Sequence, residues 1–243
     1  MNTFAKLCFG LATTVGSLSA NVANAALLDM NFKKGEMICI ISSSEYPSQR
    51  GAVQQYFNDT AQLIESENVE FVGSLQVEKV LLGQHPVPGF GFVKLPSKRS
   101  KVRLYQDRLN EWQHIRETRP DIWKELRLND FELQQDTTFS LDTEKYYQLE
   151  SFWVKQDKEN EFDTFLNQDL EHRRKVGGRI VQIFGEPDMY DTLGVERAPN
   201  AYLITEWDSK EAFNRYWGDR KSFRYLSGHD AWLTRVPALS KPS

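Results

Sequence analysis

The 243-residue chain is poor in the residue types from which common catalytic centres are built, with two cysteines and four histidines. Cys8 lies in an N-terminal apolar segment, and Cys39 sits inside the apolar run Met37-Ile38-Cys39-Ile40-Ile41. No disulfide framework is available, so stability has to come from packed cores, and Cys39 reads as a small core residue. His85, His114, His172 and His229 have no partner at a metal-ligand spacing such as H-E-x-x-H, which argues against a zinc site. No serine stands in a G-x-S-x-G context, so a hydrolase is not indicated. Gly89-Phe90-Gly91 is too short to be a phosphate loop. Charge of one sign is also missing: 30 Lys and Arg face 34 Asp and Glu without a basic block. Phosphate binding needs a concentrated positive surface, so nucleic acid is disfavoured as a partner.

What is present begins with the pattern expected of a targeting signal. A single positive charge at Lys6 precedes an uncharged stretch from Leu7 to Ala20, and Ala23-Asn24-Ala25 is a small-residue site. This pattern predicts a secretory signal peptide over residues 1–25, and the segment is short for a membrane span of roughly 20 apolar residues. No later stretch is apolar enough to span a bilayer. The expectation is a periplasmic or secreted protein, off the membrane after cleavage, with a net charge of about −5 once Lys6 is removed.

The remaining chain divides into two stretches of domain size, residues 36–134 and 146–240, joined by a polar linker at 135–145. In the first, Met37–Ser42 reads as a buried strand, and Pro47 starts a helix carrying Val53, Tyr56, Phe57, Thr60, Leu63 and Ile64. Val69–Leu82 alternates as a strand with a bend at Gly73, and Phe90–Leu95 is the next strand. Ser97 caps a helix that runs to about Arg116, Pro120 opens a short helix over Asp121–Leu128, and Phe131–Leu133 supplies a last strand. In the second, strands are expected at Tyr146–Val154, Arg179–Phe184, Tyr202–Trp207 and Trp232–Leu239. Helices are expected at Glu159–Val176, stopped by Gly177-Gly178, and after Ser209.

The two halves echo one another. Shifted by 112 positions, Ser97-Lys98 falls on Ser209-Lys210, Arg103 on Arg215, and Asp107-Arg108 on Asp219-Arg220. Gly73 falls on Gly185 at that offset, and Asp121-Ile122-Trp123 falls on Asp230-Ala231-Trp232 at 109. Each half reads β-α-β-β-α-β, the split arrangement of ferredoxin-like units. Such a unit leaves one sheet face bare, and two copies in one chain can pack those faces together as a two-layer core or a closed barrel. The fold class expected is α+β.

The second half resembles the dimeric α/β-barrel superfamily. The likeness rests on Gly177-Gly178-Arg179 entering a strand, on Tyr202-Leu203-Ile204-Thr205-Glu206-Trp207, and on Asp208-Ser209-Lys210-Glu211-Ala212 followed by Phe213, Tyr216 and Trp217. It covers residues 146–239, and the first half only through the internal repeat. The resemblance implies a barrel of two ferredoxin-like units. It spans cofactor-independent monooxygenases, haem-binding enzymes and members without a known reaction, so activity does not follow from it. The export signal and the divergence of the halves depart from the usual pattern.

Candidate ligand-binding residues are Trp153, Tyr202, His172, and the paired Arg103 and Asp107, Arg215 and Asp219. The aromatic residues suit a planar apolar ligand or an ordinary core. The Arg/Asp pairs, four apart on a helix, suit an anion clamp or a solvated face. No catalytic residue is assigned, and haem would need one of the histidines as axial ligand. Three readings stand: an exported barrel binding a small apolar or aromatic molecule, a monooxygenase-like or haem-dependent enzyme, and an interaction module forming oligomers through exposed sheet or helix faces.

Overall fold

A computed structural model describes residues 27–83, 85–104, 109–192, 197–220 and 224–237. Residues 1–25, where a signal peptide is expected, and Asp107 lie outside the described residues. The strands are β1 (Leu27–Phe32), β2 (Met37–Glu45), β3 (Glu70–Leu82), β4 (Gly89–Leu95), β5 (Trp123–Glu132) and β6 (Thr137–Asp142). They continue with β7 (Tyr146–Val154), β8 (Gly178–Phe184), β9 (Asp188–Asp191), β10 (Ala201–Trp207) and β11 (Leu226–Arg235). The helices are α1 (Arg50–Ser66), α2 (Lys98–Val102), α3 (Leu109–Ile122), α4 (Glu159–Lys175) and α5 (Lys210–Asp219).

One nine-stranded antiparallel sheet runs β8-β10-β7-β11-β3-β4-β2-β5-β9. Within it each half has the same order, its second strand beside its third, then its first, then its fourth. This is the ferredoxin-like arrangement, and β11 joins the halves by pairing with β3. The far edge is β9, which pairs with β5 and follows β8 in the chain after Gly185-Glu186-Pro187. β8 and β9 are therefore two segments of one interrupted strand, and the sheet closes into a barrel. Pro187 has no amide hydrogen to give a ladder, which suits it to that interruption.

The register defines equivalent residues in the halves. Ser42 lies opposite Phe90 and Arg127, while Ser151 lies opposite Tyr202 and Asp230. Leu75 faces Phe90 as Phe184 faces Tyr202, and a bulge follows Phe71 in β3 as another lies between Ile180 and Gln182 in β8. Two of the sequence matches are corrected by this register. Gly73 is equivalent to Gln182, not Gly185, and Trp123 is equivalent to Leu226, not Trp232. Insertions around β9 and a shorter connection before β11 shift the offset along the chain. The cap match holds: the Ser97 hydroxyl accepts from the Ser100 amide at 3.1 Å, and Ser209 accepts from Ala212 at 3.1 Å.

Three other expectations change. Asp121–Leu128 is no helix: α3 extends through Pro120 to Ile122, and β5 starts at Trp123. The closing strand β11 begins at Leu226, before Gly228, rather than at Trp232. The linker and the lead-in before the first half carry structure, because β6 pairs with β1 over Leu27–Phe32 and Thr137–Asp142. That ribbon lays Met30, Phe32, Phe139 and Leu141 onto the barrel core, near the ends where β2 and β7 start.

The inner core mixes both halves, with Ile38, Ile40, Phe90, Phe92 and Phe131 from the first and Tyr147, Leu149, Phe184, Tyr202, Ile204 and Trp232 from the second. Outside the sheet, α1 and α3 cover Cys39, Val93 and Leu126, while α4 and α5 cover Phe152, Leu203 and Trp207. Gly177, at φ +98°, turns the chain out of α4 in the left-handed region that disfavours a side chain. Among the described residues, no helix is long and apolar enough to cross a membrane.

Candidate functional site

Polar side chains gather on the inner face of the barrel, at the end away from the β1–β6 ribbon. Alternation along β5 sends Leu126 and Leu128 toward the helices and Glu125, Arg127 and Asn129 inward. The same alternation points Ser151 and Trp153 of β7, Tyr202 of β10 and Asp230 of β11 into the barrel. Arg127 is the hub, with its side chain 1 % exposed. Its Nε donates to Asp191 Oδ2 at 2.6 Å, Nη1 lies 3.5 Å from Asp230 Oδ2, and Nη2 lies 3.9 Å from Glu125 Oε1. Its guanidinium stands 5.8 Å over the Trp153 ring. His85, from the connection between β3 and β4, completes the cluster. Its Nδ1 is 3.3 Å from Glu125 Oε1 and its Nε2 is 3.5 Å from Asp230 Oδ2.

The electrostatics follow from burial among these charges. The Glu125 carboxylate facing its Nδ1 and the nearby Asp230 charge hold the His85 imidazole above its ordinary value, against burial and Arg127. Burial pushes the Asp230 carboxyl up, although His85 and Arg127 pull the other way. Burial also pushes the Tyr202 hydroxyl up to about 12, with Arg127 opposing. Four inward-facing oxygens are buried without a well-formed hydrogen bond: Glu125 Oε1, Asn129 Oδ1, Ser151 Oγ and Asp230 Oδ2. The two carboxylate oxygens have only the longer ionic approaches of His85 and Arg127. Each of the four can accept, and an unmet buried polar atom costs about 1–3 kcal/mol. By contrast, donors around them are engaged: Trp232 Nε1 gives to the His85 carbonyl at 3.0 Å and Trp153 Nε1 to the Arg197 carbonyl at 2.8 Å.

A second polar network lies on the helix side of the second half. Arg173 Nη1 donates to Glu150 Oε2 at 2.5 Å and to Thr205 Oγ1 at 3.0 Å, and Nε donates to Asp169 Oδ2 at 2.7 Å. His229 Nε2 is 3.0 Å from Glu150 Oε1, and the Tyr216 hydroxyl donates to Asp169. Burial would raise the Glu150 carboxyl, but Arg173 and His229 beside it hold it down at about 2. In the first half the equivalent positions are Ile41, Thr60, Ile64, Val93, Leu104 and Leu126, which are nearly all apolar.

Of the residues singled out from sequence, Trp153 and Tyr202 are in the barrel cluster. His172 is not: it lies on α4 with its ring 5.9 Å from Tyr216, and its Nε2 is buried without a hydrogen bond. The repeated pairs, read as an anion clamp or a solvated face, are placed for Arg103, Arg215 and Asp219, while Asp107 lies outside the described residues. Arg103 Nε donates to Glu67 Oε2 at 2.9 Å, tying α2 to the end of α1. Arg215 and Asp219 are exposed on α5, and no ion pair joins them. The sequence reading missed Glu125, Arg127, Asn129, Ser151, Asp191 and Asp230, and gave no weight to His85 beyond its being a histidine.

An axial haem ligand must present a ring nitrogen to a flat apolar slot. His229 Nε2 faces Glu150 and its ring stacks on Phe152 at 4.7 Å, while His85 Nε2 lies between Asp230 and Arg127. His172 packs against Tyr216, which is stacked on Trp207 at 4.9 Å and has the Arg173 guanidinium 4.7 Å from its ring. These three histidines do not fit haem ligation, and the side chain of His114 is outside the described set. Among the described residues, no group of three or more His, Cys, Asp or Glu is arranged to hold a metal ion.

No protein-family model matches the sequence, and no curated protein sequence matches it significantly. Solved structures do resemble it. An anthrone oxidase-like protein aligns over 88 % of this chain and 97 % of its own, with 14 % identity and a TM-score of 0.54. A chlorite dismutase from Candidatus Nitrospira defluvii in complex with imidazole aligns over 85 % of this chain and 93 % of its own, with 11 % identity and a TM-score of 0.43. A proposed monooxygenase from Fusobacterium nucleatum subsp. nucleatum aligns over 84 % and 94 %, with 9 % identity and a TM-score of 0.39. At these identities the likeness concerns fold, and it agrees with the strand order: the chain has a dimeric α/β-barrel fold, with both ferredoxin-like units in one polypeptide.

Proposed function

We propose that this is an exported barrel, built as a fused tandem repeat, that binds a small aromatic molecule bearing hydrogen-bond donors at the polar end of its interior. The observation that carries the reading is the set of four under-satisfied acceptor oxygens beside Trp153, Tyr202 and Trp232. A ligand with hydroxyl or amino groups satisfies those acceptors, and its ring packs against the aromatic side chains. An anionic ligand is disfavoured, because Glu125, Asp191 and Asp230 outnumber Arg127 and His85. The test is thermal stabilisation and tryptophan quenching by a dihydroxynaphthalene, against naphthalene and a naphthoate as controls. The hydroxylated probe is expected to bind best, and Ser151→Ala with Asn129→Leu to abolish its advantage. Equal responses to all three probes, or none, would sink the reading.

A second reading is cofactor-independent oxygenation, supported by the fold shared with the anthrone oxidase-like protein and by the Asp230–Arg127 geometry. Asp230, with its carboxyl held above the ordinary range, would accept a proton from an acidic phenol or an activated C–H. Arg127 would then stabilise the resulting anion, which is the species able to give an electron to dioxygen. Oxygen uptake with an anthrone is the assay. Asp230→Asn should lower the rate by about 10²- to 10⁴-fold, and no uptake in the wild type removes this reading while leaving ligand binding to its own test.

A further inference from the structure

The connection between β3 and β4 does more than join two strands. His85 to Pro88 lies against the polar end of the barrel, with His85 on Glu125 and Asp230 and Val87 buried in the inner core. Trp232 Nε1 and the Val87 amide both donate to the His85 carbonyl, at 3.0 and 2.9 Å. At one flank Gly83 has φ +86°, and a Cβ there would stand 2.0 Å from Asp230 Oδ1, so the chain passes against that carboxylate. The His85 side chain is 22 % exposed, whereas those of Glu125, Asp230 and Arg127 are 5 %, 9 % and 1 % exposed. The strap thus covers the charged interior, and its imidazole is the outermost member of the cluster.

We propose that this strap is a proton-operated cover, closed while a charged His85 bridges Glu125 and Asp230 and loosened when His85 is neutral. A charged imidazole offers both N–H groups, one to each carboxylate. A neutral ring keeps one N–H, so one carboxylate then meets a lone pair instead of a donor. Among the described residues, the charged groups around His85 are Glu125 and Arg127 from β5 and Asp230 from β11, and Arg127 is in turn bonded to Asp191 of β9. Glu125 and Asp230 favour the charged ring, and Arg127 opposes it. In the neutral state Nε2 can accept from Arg127 Nη2, now 3.4 Å away, so the contact to Glu125 survives and Asp230 is released. The strap loosens instead of detaching, and Asp230 becomes the free acceptor for an incoming donor. The direction follows from the raised imidazole: closed at mildly acid pH, loosened as pH rises through a value above the ordinary histidine range.

This inference rests on the reading that the barrel interior is the binding site, but its test uses no ligand. Amide hydrogen exchange of a peptide spanning residues 83–90 is followed at two pH values either side of the histidine range and corrected for the intrinsic pH dependence. The corrected exchange of the wild type should rise about three- to tenfold at the higher pH. His85→Gln should show fast exchange at both values. Asp230→Asn, which removes one anchor, should already be loosened at the lower pH, and it serves if His85→Gln does not fold. A flat wild-type profile, or an unchanged rise in His85→Gln, overturns the proposal. Failure of every aromatic probe in the binding screen leaves this result standing.

Discussion

Arg127 and Asp230 occupy equivalent positions in the two halves of the barrel and meet each other, Nη1 to Oδ2 at 3.5 Å. Contact between equivalent residues places them at the approximate twofold axis. In a symmetric homodimer a residue on the axis faces its own copy, so arginine would face arginine and aspartate would face aspartate. Holding both units in one chain removes that constraint, and the axis carries opposite charges. The neighbouring positions have diverged as well: Phe90 is equivalent to Tyr202, and Ser44 to Trp153.

Replacing Arg127 alone should be severely destabilising. Arg127→Met takes the guanidinium away from Asp191, Asp230 and Glu125 and leaves His85 to face Glu125 and Asp230. Breaking a buried ion pair in this way costs about 3–5 kcal/mol. Urea denaturation should show a lower midpoint with a similar slope. Adding Asp230→Asn to Arg127→Met should recover part of the loss.

The helix-side network offers an internal control. Arg173→Ile should lose about 3–5 kcal/mol, because Glu150 and Asp169 stay buried without the guanidinium that bridges them, keeping the contacts of His229 and Tyr216. The first half packs Ile41, Thr60 and Ile64 at the equivalent places within the same fold. Installing Glu150→Ile and Asp169→Thr with Arg173→Ile should therefore restore stability to near the wild-type value. A combined variant as weak as Arg173→Ile would show that the ions are needed for packing.

Acid should also weaken the same network. The Glu150 carboxyl sits at about 2 in the folded chain against an ordinary 4.5. A depressed carboxylate contributes stability that is complete above the unfolded value and is lost as pH falls through the folded one. The loss should develop between about pH 4.5 and pH 2 and amount to a few kcal/mol. Unfolding midpoints across that window should fall steeply in the wild type and less so in the triple variant, which lacks the carboxylate.

Gly83→Ala should disturb both backbone and site. A side chain at φ +86° costs about 1 kcal/mol, and its Cβ would overlap the Asp230 carboxylate at 2.0 Å. The expected outcome is a total loss of about 1–3 kcal/mol in chemical denaturation. Gly51→Ala is the comparison: it lies in α1, where an added Cβ would meet nothing within 4 Å, and should be neutral or mildly stabilising.

The order of elements was legible because apolar period and punctuation act locally. Ser97 and Ser209 cap helices through hydrogen bonds three residues away, and Gly177 ends α4 through its own dihedral angle. The β5 strand was not legible, and the reason is the site itself. Its inward residues Glu125, Arg127 and Asn129 are polar, so Asp121–Leu128 reads like a solvated helix, with a strand only from Phe131, unless the barrel interior is known to be charged. Asp230 in β11 was passed over for the same reason. The exact repeat offset misled where loop lengths differ, because only strand pairing tells which residues are equivalent.

The chain by itself determined two β-α-β-β-α-β units with their caps, turns and apolar faces, since each depends on residues a few positions apart. Trp153 and Tyr202 could be picked out because large aromatic side chains in strands point to a core or a pocket wherever they occur. The Arg/Asp pairs stood out equally, yet Arg103 serves Glu67 and Arg215 stays in solvent. Only the tertiary structure decided that Arg127, Asp191, Asp230, Glu125 and His85 share one place. They come from β5, β9, β11 and the β3–β4 connection, and closure of the sheet brings them within reach. Their charges become consequential there because burial removes the water that would otherwise screen them.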